Sequence, residues 1–271
     1  MIYRFEVEGF KGFSDKLVFD LTHRKNYEFN QDCILDGVVK KSVVYGKNGI
    51  GKSNLGLALF DIVAHLTEFN VNDGMYNNYI NAVNNSGIAR FKYDFKFGDN
   101  IVTYLYGKRS VKELVFEELF INGRLVTKFN RVLDSNAYFS LSGTETLNTA
   151  LAESKISIIN YIKNNAILND GIEKDLFNQF IVFVEKMLYF RSLDSNNYLG
   201  LEMGRHLITP DIVERGNVDD FERFLNKAGV KCKLCVMKIQ SNNGVVEDIG
   251  FDFGSKQIPF YGVASTGTKS L

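Results

Sequence analysis

The chain has 271 residues, of which 45% are hydrophobic and 24% charged, and its 32 Lys and Arg balance 32 Asp and Glu. This composition indicates a soluble globular protein with a substantial core, and a net charge of zero gives no overall attraction for nucleic acid, although a local basic face stays open. No apolar run is long enough to span a membrane and the first residues lack a signal-peptide pattern, so we expect a cytoplasmic protein with no membrane association.

The chain begins with a pattern typical of two strands joined by a turn. Residues 2–13 alternate apolar and polar side chains, and residues 18–21 begin a second apolar run. A period of two is the spacing of a strand with one buried face. The sequence therefore predicts a strand, a turn and a second strand before residue 22.

The next segment fits the phosphate-binding pattern G-x-x-x-x-G-K-[ST], and its flanks predict a strand before it and a helix after it. Residues 42–45 are predicted to form a short buried strand, and apolar residues recur at helical spacing from Leu55 to Leu66. The motif itself consists of Gly46, Lys47, Asn48, Gly49, Ile50, Gly51, Lys52 and Ser53, followed by Asn54.

These residue types suit a bound triphosphate, because the phosphate charge must be met by converging backbone N–H groups and the positive end of a helix. Glycine lets the backbone approach the phosphates. Lys52 is expected to neutralise the β and γ oxygens, and the Ser53 hydroxyl to bind Mg²⁺, so the cofactors predicted are ATP and Mg²⁺. The alternative is a glycine-rich turn that matches the pattern by accident.

A strand-rich region follows. Residues 70–85 contain seven asparagines and predict a loop, whereas residues 88–131 predict an antiparallel meander with Asn122-Gly123 as a hairpin turn. Phe91, Tyr93, Phe95 and Phe97 alternate with polar residues; this aromatic row is interpreted as core, with base stacking as the less favoured alternative.

Helical spacing then returns. Residues 146–168 and 173–190 predict helices, and the period continues through Glu185, which argues against a metal-binding strand that ends at this acid. Residues 221–227 predict a short helix closed by Gly229, before strands around Cys232 and over residues 245–253. The expected domains are an N-terminal lobe with the phosphate loop and the meander (1–135), a helical subdomain (136–228), and return strands with a second motif (229–271).

The three cysteines are typical of a reducing compartment. Cys232 and Cys235 have the spacing of a zinc or redox pair. In a strand, however, this spacing puts the two thiols on opposite faces, and neither Cys33 nor any of the three histidines completes a ligand pattern. We therefore interpret the pair as structural.

The C-terminal residues carry a second cluster of hydroxyl groups and glycine: Ser265, Thr266, Gly267, Thr268 and Lys269. Together with the G-x-N-G-x-G-K-S form of the first motif, this cluster resembles the signature of the ABC-type ATPase heads of the SMC/RecF/OLD-like group. The N-terminal segment Gly9-Phe10-Lys11-Gly12-Phe13 is similar to that group's opening element. Within the group, the chain most resembles AAA-family ATP-binding proteins of bacterial abortive-infection and anti-phage systems.

The resemblance implies an α/β P-loop NTPase of the ABC-ATPase type, with an antiparallel β meander and an inserted helical subdomain. In such heads two protomers sandwich two nucleotides, so Ser265, Thr266 and Gly267 would cap the γ-phosphate that a twin subunit holds. The family's apolar strand ending in Asp-Glu and its switch histidine normally follow the signature, and the 271 residues contain neither. The expectation is therefore that the C-terminal part of the core is missing, either because the chain is a fragment or because a partner supplies it.

Three functions are open. The first is an ATP switch that forms a homodimer around ATP and controls an effector, such as a nuclease or a partner subunit, in nucleic-acid processing or phage defence. The second is an ATP-binding regulatory or assembly module that does not hydrolyse ATP. The third is a small-molecule kinase or another simple P-loop enzyme, which the long meander disfavours. Phe13 or Tyr27 could stack on the adenine, or either could be ordinary core or turn packing.

Overall fold

The protein is described by a computed structural model that covers residues 1–22, 28–67, 73–191, 197–200, 208–241, 244–265 and 268. Within these residues the fold is mixed α/β, with six α-helices and a large antiparallel sheet. The chain forms two compact units, Met1–Met187 and Leu188–Leu271, so the boundary falls inside the predicted helical subdomain. None of the described helices is both long and apolar enough to cross a bilayer.

The first unit is built on a seven-stranded antiparallel sheet, and a separate two-stranded hairpin lies beside it. The sheet order is β2-β1-β5-β6-β7-β8-β9, and β3 pairs with β4. Their bounds are β1 (Ile2–Glu8), β2 (Leu17–Asp20), β3 (Ile34–Leu35), β4 (Val38–Val39), β5 (Ala89–Phe97), β6 (Asn100–Ser110), β7 (Glu113–Ile121), β8 (Arg124–Asn130) and β9 (Tyr138–Phe139).

The predicted two N-terminal strands and the predicted meander are both confirmed. β1 pairs with β2, and β5 to β8 form consecutive antiparallel pairs. Ile121 pairs with Arg124 across a two-residue turn, in which Asn122 and Gly123 have φ of 50° and 78°. Positive φ at both positions is the geometry for which Asn-Gly is favoured in a hairpin.

Three helices belong to the first unit: α1 (Lys52–Leu66), α2 (Ile158–Asn165) and α3 (Ile172–Glu185). The Tyr93 hydroxyl of β5 donates to the Ala58 carbonyl of α1 at 2.7 Å, and the Phe95 ring packs edge-on against Phe180 of α3 with 5.2 Å between ring centroids. Phe91, Tyr93 and Phe95 are buried, which confirms the interpretation of these rings as core, whereas Phe97 at the end of the row is half-buried. α1 and α3 therefore lie on the face of the sheet that carries these rings.

Two helix predictions were too long. The predicted helix at 146–168 begins only at Ile158, and the one at 173–190 ends at Glu185, before a strand. Polar side chains upstream of α2 hydrogen-bond to nearby backbone, with Ala150 N donating to Asn148 Oδ1 and Ile156 N donating to Ser154 Oγ. Such local bonds compete with the helical pattern, and Ser157 then caps α2 by accepting from the N–H of Ile159.

The second unit contains a hairpin, a three-stranded antiparallel sheet and three short helices. Leu225, Ile249 and Phe260 form its core. Gly229 follows α5 (Val218–Lys227) with φ of 93°, which confirms the predicted helix end. The bounds are β10 (Tyr189–Arg191), β11 (Asn197–Leu199), α4 (Ile208–Glu214), α5 (Val218–Lys227), β12 (Leu234–Ser241), β13 (Gly244–Asp252), β14 (Gln257–Pro259) and α6 (Phe260–Val263).

Candidate functional site

The phosphate-loop motif forms a tight turn that leads directly into α1. Gly49 and Gly51 have φ of 83° and 101°, a left-handed conformation that side chains disfavour. Lys52 is the first residue of α1, and its Nζ donates to the carbonyl oxygens of Gly46 at 2.7 Å and Lys47 at 2.8 Å. The loop therefore curls around the ammonium group of its own lysine.

The loop has free hydrogen-bond donors at the positive end of a helix. Within the described part of the chain, no backbone N–H from residue 48 to residue 54 donates to a protein group. The first turn of α1 contains no acidic residue, the side chain of Ser53 is exposed, and a methyl group added at Gly49 would meet nothing within 4 Å. This donor set and this open space fit the phosphates of a nucleotide, and the Ser53 hydroxyl is available as a Mg²⁺ ligand.

The predicted buried strand before the loop is wrong. Residues 42–47 belong to no helix or strand, and Val43 and Tyr45 are 86% and 89% exposed. A buried strand needs neighbouring strands that satisfy its N–H and C=O groups, and none of the described strands pairs with this segment. The apolar residues of this segment favour a strand, but they do not show which other strand it would pair with.

One side of the loop is covered by the turn at residues 9–13, here called the N-terminal turn. A methyl group added at Gly51 would lie 3.4 Å from Cε1 of Phe13, and one added at Gly12 would lie 3.2 Å from Nδ2 of Asn54. Phe13 is half-buried beside the loop, a position that is compatible both with stacking on an adenine and with ordinary packing. Tyr27 lies outside the described residues.

The N-terminal turn is itself held by residues 77–81. Lys11 N donates to Tyr79 O at 3.0 Å, Asn81 N donates to Gly9 O at 2.9 Å, and Asn81 Nδ2 donates to Lys11 O at 2.6 Å. The Lys11 ammonium donates to Asn77 O at 2.8 Å, and burial lowers its pKa. The asparagine-rich segment, predicted as a loop without a specific role, thus anchors the turn that packs against the phosphate loop.

A hydrogen bond from Tyr79 to a buried, ion-paired aspartate links this segment to α1. The Tyr79 hydroxyl donates to Asp61 Oδ1 at 2.9 Å, and Asp61 also accepts from Tyr106 at 3.0 Å and from Lys108 Nζ at 3.1 Å. Burial lowers the pKa of Lys108 and Asp61 opposes that shift, whereas burial and then Asp61 raise the pKa of Tyr79 well above its usual value. The position of the phosphate-loop helix is therefore fixed by bonds to both β6 and residues 77–81.

A second buried carboxylate joins the sheet to α2. Glu117 of β7 accepts from Arg131 at 3.1 Å, from the Ser157 hydroxyl at 2.6 Å and from the N–H of Ile158 at 2.9 Å. The Tyr104 hydroxyl donates to the same carboxylate at 2.8 Å and lies 3.0 Å from His65 Nε2. Since all these groups are engaged within the core, this cluster is structural.

The sequence did not identify either buried cluster, although it contained signals for both. Asp61 is a single charge inside an apolar helical run. Lys108 continues the alternation of Val102, Tyr104 and Tyr106, which places it on the inward face of β6. A charged residue at a predicted core position indicates a buried partner, but the partner is distant in sequence.

Of the second motif, Ser265 and Thr268 are described, whereas Thr266 and Gly267 lie outside the described residues. Ser265 Oγ accepts from the N–H of Thr268 at 3.1 Å and lies 2.9 Å from the Thr268 hydroxyl. A bond from a side-chain hydroxyl to the N–H three residues later is the pattern of a helix N-cap.

The cysteine pair has no arrangement for catalysis. The strand predicted around Cys232 begins only at Leu234, so Cys232 precedes β12 and packs against the core of the second unit, whereas Cys235 lies on β12 opposite Gly250. Burial raises the pKa of both thiols, which disfavours the thiolate. Among the described residues, no three His, Cys, Asp or Glu side chains converge as metal ligands, and His23 and His206 lie outside them.

No protein-family model matches the chain, and no curated protein matches it. The geometry and chemistry of the phosphate loop are therefore the basis for assigning a function.

Proposed function

We propose that the loop at residues 46–53 binds the triphosphate of ATP together with Mg²⁺. The observation that carries this proposal is the run of backbone N–H groups from residue 48 to residue 54 that donate to no described protein group, at the N-terminus of α1 where Lys52 begins the helix. Partial positive charge at a helix N-terminus and converging N–H donors are what an anion requires when it leaves water.

The roles follow from the chemistry of each side chain. Lys52 exchanges its bonds to the carbonyl oxygens of Gly46 and Lys47 for bonds to the β and γ phosphates, because a charged acceptor makes the stronger hydrogen bond. The Ser53 hydroxyl would hold Mg²⁺, and the metal would offset part of the negative charge of the phosphates. Gly49 and Gly51 keep the backbone within reach of the anion, since side chains there would strain the turn.

We further propose that the chain is a P-loop NTPase of the ABC type, which dimerises around ATP and switches an associated effector in nucleic-acid processing or phage defence. Three observations support it: the G-x-N-G-x-G-K-S loop, the antiparallel sheet over α1, and the bond that Ser265 Oγ accepts from the N–H of Thr268. For such a switch, ATP must contact the dimer better than the monomer.

A second candidate is a module that binds ATP without hydrolysing it. The observation that favours it is that the fully buried carboxylates Asp61 and Glu117 form ion pairs within the core, Asp61 with Lys108 and Glu117 with Arg131. Neither of these carboxylates is free to polarise a water molecule near the γ-phosphate. Phosphate release from ATP separates the two candidates, because only the switch releases it.

The binding proposal is tested with Lys52→Ala, and Lys41→Ala is the matched control because it removes an exposed lysine whose partner is Asp32. Titration calorimetry with ATP and Mg²⁺ should show binding in the wild type and in the control. We expect Lys52→Ala to weaken binding at least roughly tenfold, since a charge-assisted hydrogen bond contributes about 1.5–3 kcal/mol. Absence of saturable ATP binding to the folded wild type would refute the proposal.

The dimer is tested separately with Ser265→Arg, because this residue is far along the chain from the phosphate loop. The variant should bind ATP as the wild type does, yet remain monomeric by analytical ultracentrifugation when ATP is present. ATP-dependent dimers that persist in this variant would contradict the role assigned to Ser265 while leaving nucleotide binding intact.

A further inference from the structure

Three Asn-Gly pairs occur in the sequence, and one of them, Asn48-Gly49, lies in the phosphate loop. Both of its residues are exposed, and no group in the described ranges hydrogen-bonds the Asn48 side chain or the Gly49 N–H. Gly49 has φ of 83°, with open space where a side chain would stand. Asn48 can therefore rotate its side-chain amide toward the following peptide nitrogen without losing a bond.

Asn122-Gly123 provides a comparison within the same molecule. Asn122 Oδ1 accepts from the N–H of Ile101 at 2.9 Å, and its Nδ2 donates to Asn100 Oδ1 at 2.9 Å. The Asn122 N–H donates to Ile101 O at 2.8 Å. The side-chain amide of Asn122 must break its two bonds before it can rotate, whereas the side-chain amide of Asn48 has no described bond to break. The asparagine of the third pair, Asn243-Gly244, lies outside the described residues.

We propose that Asn48 is a site of spontaneous deamidation. The Gly49 backbone nitrogen attacks Asn48 Cγ, a bond forms between these two atoms, and the bond from Cγ to Nδ2 breaks, so that ammonia leaves and a cyclic succinimide remains. Water then opens the ring at either carbonyl and gives aspartate or isoaspartate. The net reaction consumes one water, releases ammonia and changes no oxidation state. A following glycine favours the attack because it has no side chain to block it.

The modification changes the charge of the loop. A neutral amide becomes a carboxylate beside the free N–H groups that would hold phosphate, and the isoaspartate form also lengthens the backbone there. Like charges repel, so converted chains lose affinity for the nucleotide. This second step rests on the proposed function, whereas the deamidation itself does not.

The chemistry is tested on the full chain, incubated without nucleotide in mildly alkaline buffer and sampled over several days. Chymotrypsin, which cleaves after aromatic residues such as Tyr45, releases the loop peptide, and mass spectrometry follows the gain that accompanies the change from amide to acid. Asn48 should convert several-fold faster than Asn122 in the folded protein, and at a similar rate in urea. Conversion of Asn48 no faster than that of Asn122 in the folded chain would overturn the proposal.

Anion exchange separates converted from unconverted chains, because conversion adds one negative charge. Unconverted chains should bind ATP, and converted chains should bind it at least roughly tenfold more weakly. Equal affinity would overturn the proposed consequence of the modification. If neither fraction binds ATP, the proposed function fails, and the mass measurement still decides whether Asn48 is modified. Asn48→Gln should remove the mass gain at this position.

Discussion

Lys108 Nζ lies 3.1 Å from Asp61 Oδ2, and both side chains are completely buried. Lys108 is on β6 and Asp61 is on the helix that begins at the phosphate loop, so the pair joins the sheet to that helix. A buried pair of this kind adds little net stability compared with apolar residues, but breaking it leaves an isolated charge in the core.

We expect Lys108→Met to lower the free energy of unfolding by about 3–5 kcal/mol, because Asp61 would stay buried without its cation. Asp61→Asn in the same chain should restore part of that loss, since it removes the stranded charge. Urea unfolding of both single variants and the double variant measures the coupling. Additive single effects would show that the two side chains do not depend on each other.

Stability should fall as the pH drops below about 6.5, in part because of His65. Burial, with Lys108 and Arg131 adding to it, lowers the pKa of His65 well below 6.5 in the folded protein. Between these two pKa values, His65 is protonated in the unfolded chain and neutral in the folded chain. The contribution of His65 to the free energy of unfolding is therefore fully present above its pKa in the unfolded chain, and it is lost as the pH falls toward its pKa in the folded protein.

Urea unfolding at a series of pH values tests this dependence. His65→Gln should show a shallower decline between pH 6.5 and 5, by at most about 1.4 kcal/mol per pH unit. His23 and His206 remain in both proteins, so their contributions cancel in the comparison. An unchanged slope in the variant would mean that His65 gains its proton as easily when folded as when unfolded.

Tyr79 should hold the N-terminal turn against the phosphate loop through its bond to Asp61. Tyr79→Phe removes that bond, and Tyr104→Phe is matched to it because the Tyr104 hydroxyl also donates to a buried, ion-paired carboxylate. We expect each variant to lose about 1.5–3 kcal/mol of stability.

Hydrogen exchange distinguishes the two variants. The N–H groups of Lys11 and Asn81, which bond the turn to residues 77–81, should exchange faster in Tyr79→Phe and remain protected in Tyr104→Phe. Equal exchange in both variants would mean that Tyr79 contributes only general stability to the core.

Gly51 and Gly37 offer a matched pair for the role of backbone conformation in the loop. Both have left-handed φ, 101° and 73°, but Gly37 lies in the turn between β3 and β4 with open space around it. Alanine at either position should cost about 1–2 kcal/mol of stability. Only Gly51→Ala should also weaken ATP binding. If calorimetry finds equal ATP affinity in the two variants, the backbone conformation at Gly51 is not needed for nucleotide recognition.

The elements that the sequence predicted well depend on local pattern. The phosphate-loop helix, the Asn122-Gly123 hairpin and the buried aromatic row all follow from periodicity and turn chemistry within a few residues. The strand at 42–45 failed because a strand requires a partner, and the helix expected from residue 146 failed because Asn148 and Ser154 bond to the backbone locally. Asp61 and Lys108 were missed because their pairing is decided by tertiary packing.

The pairing of Asp61 with a residue 47 positions later has a consequence for synthesis. The phosphate-loop helix is synthesised well before β6. The strand β1 is synthesised first, and it has to remain without its partner β5 until that strand has been made. Until then the nascent chain carries an apolar helix with one carboxylate that has no cation, a species that invites chaperone binding. Translation products that stop short of Lys108 therefore contain the complete phosphate-loop sequence but lack the cation that pairs with Asp61.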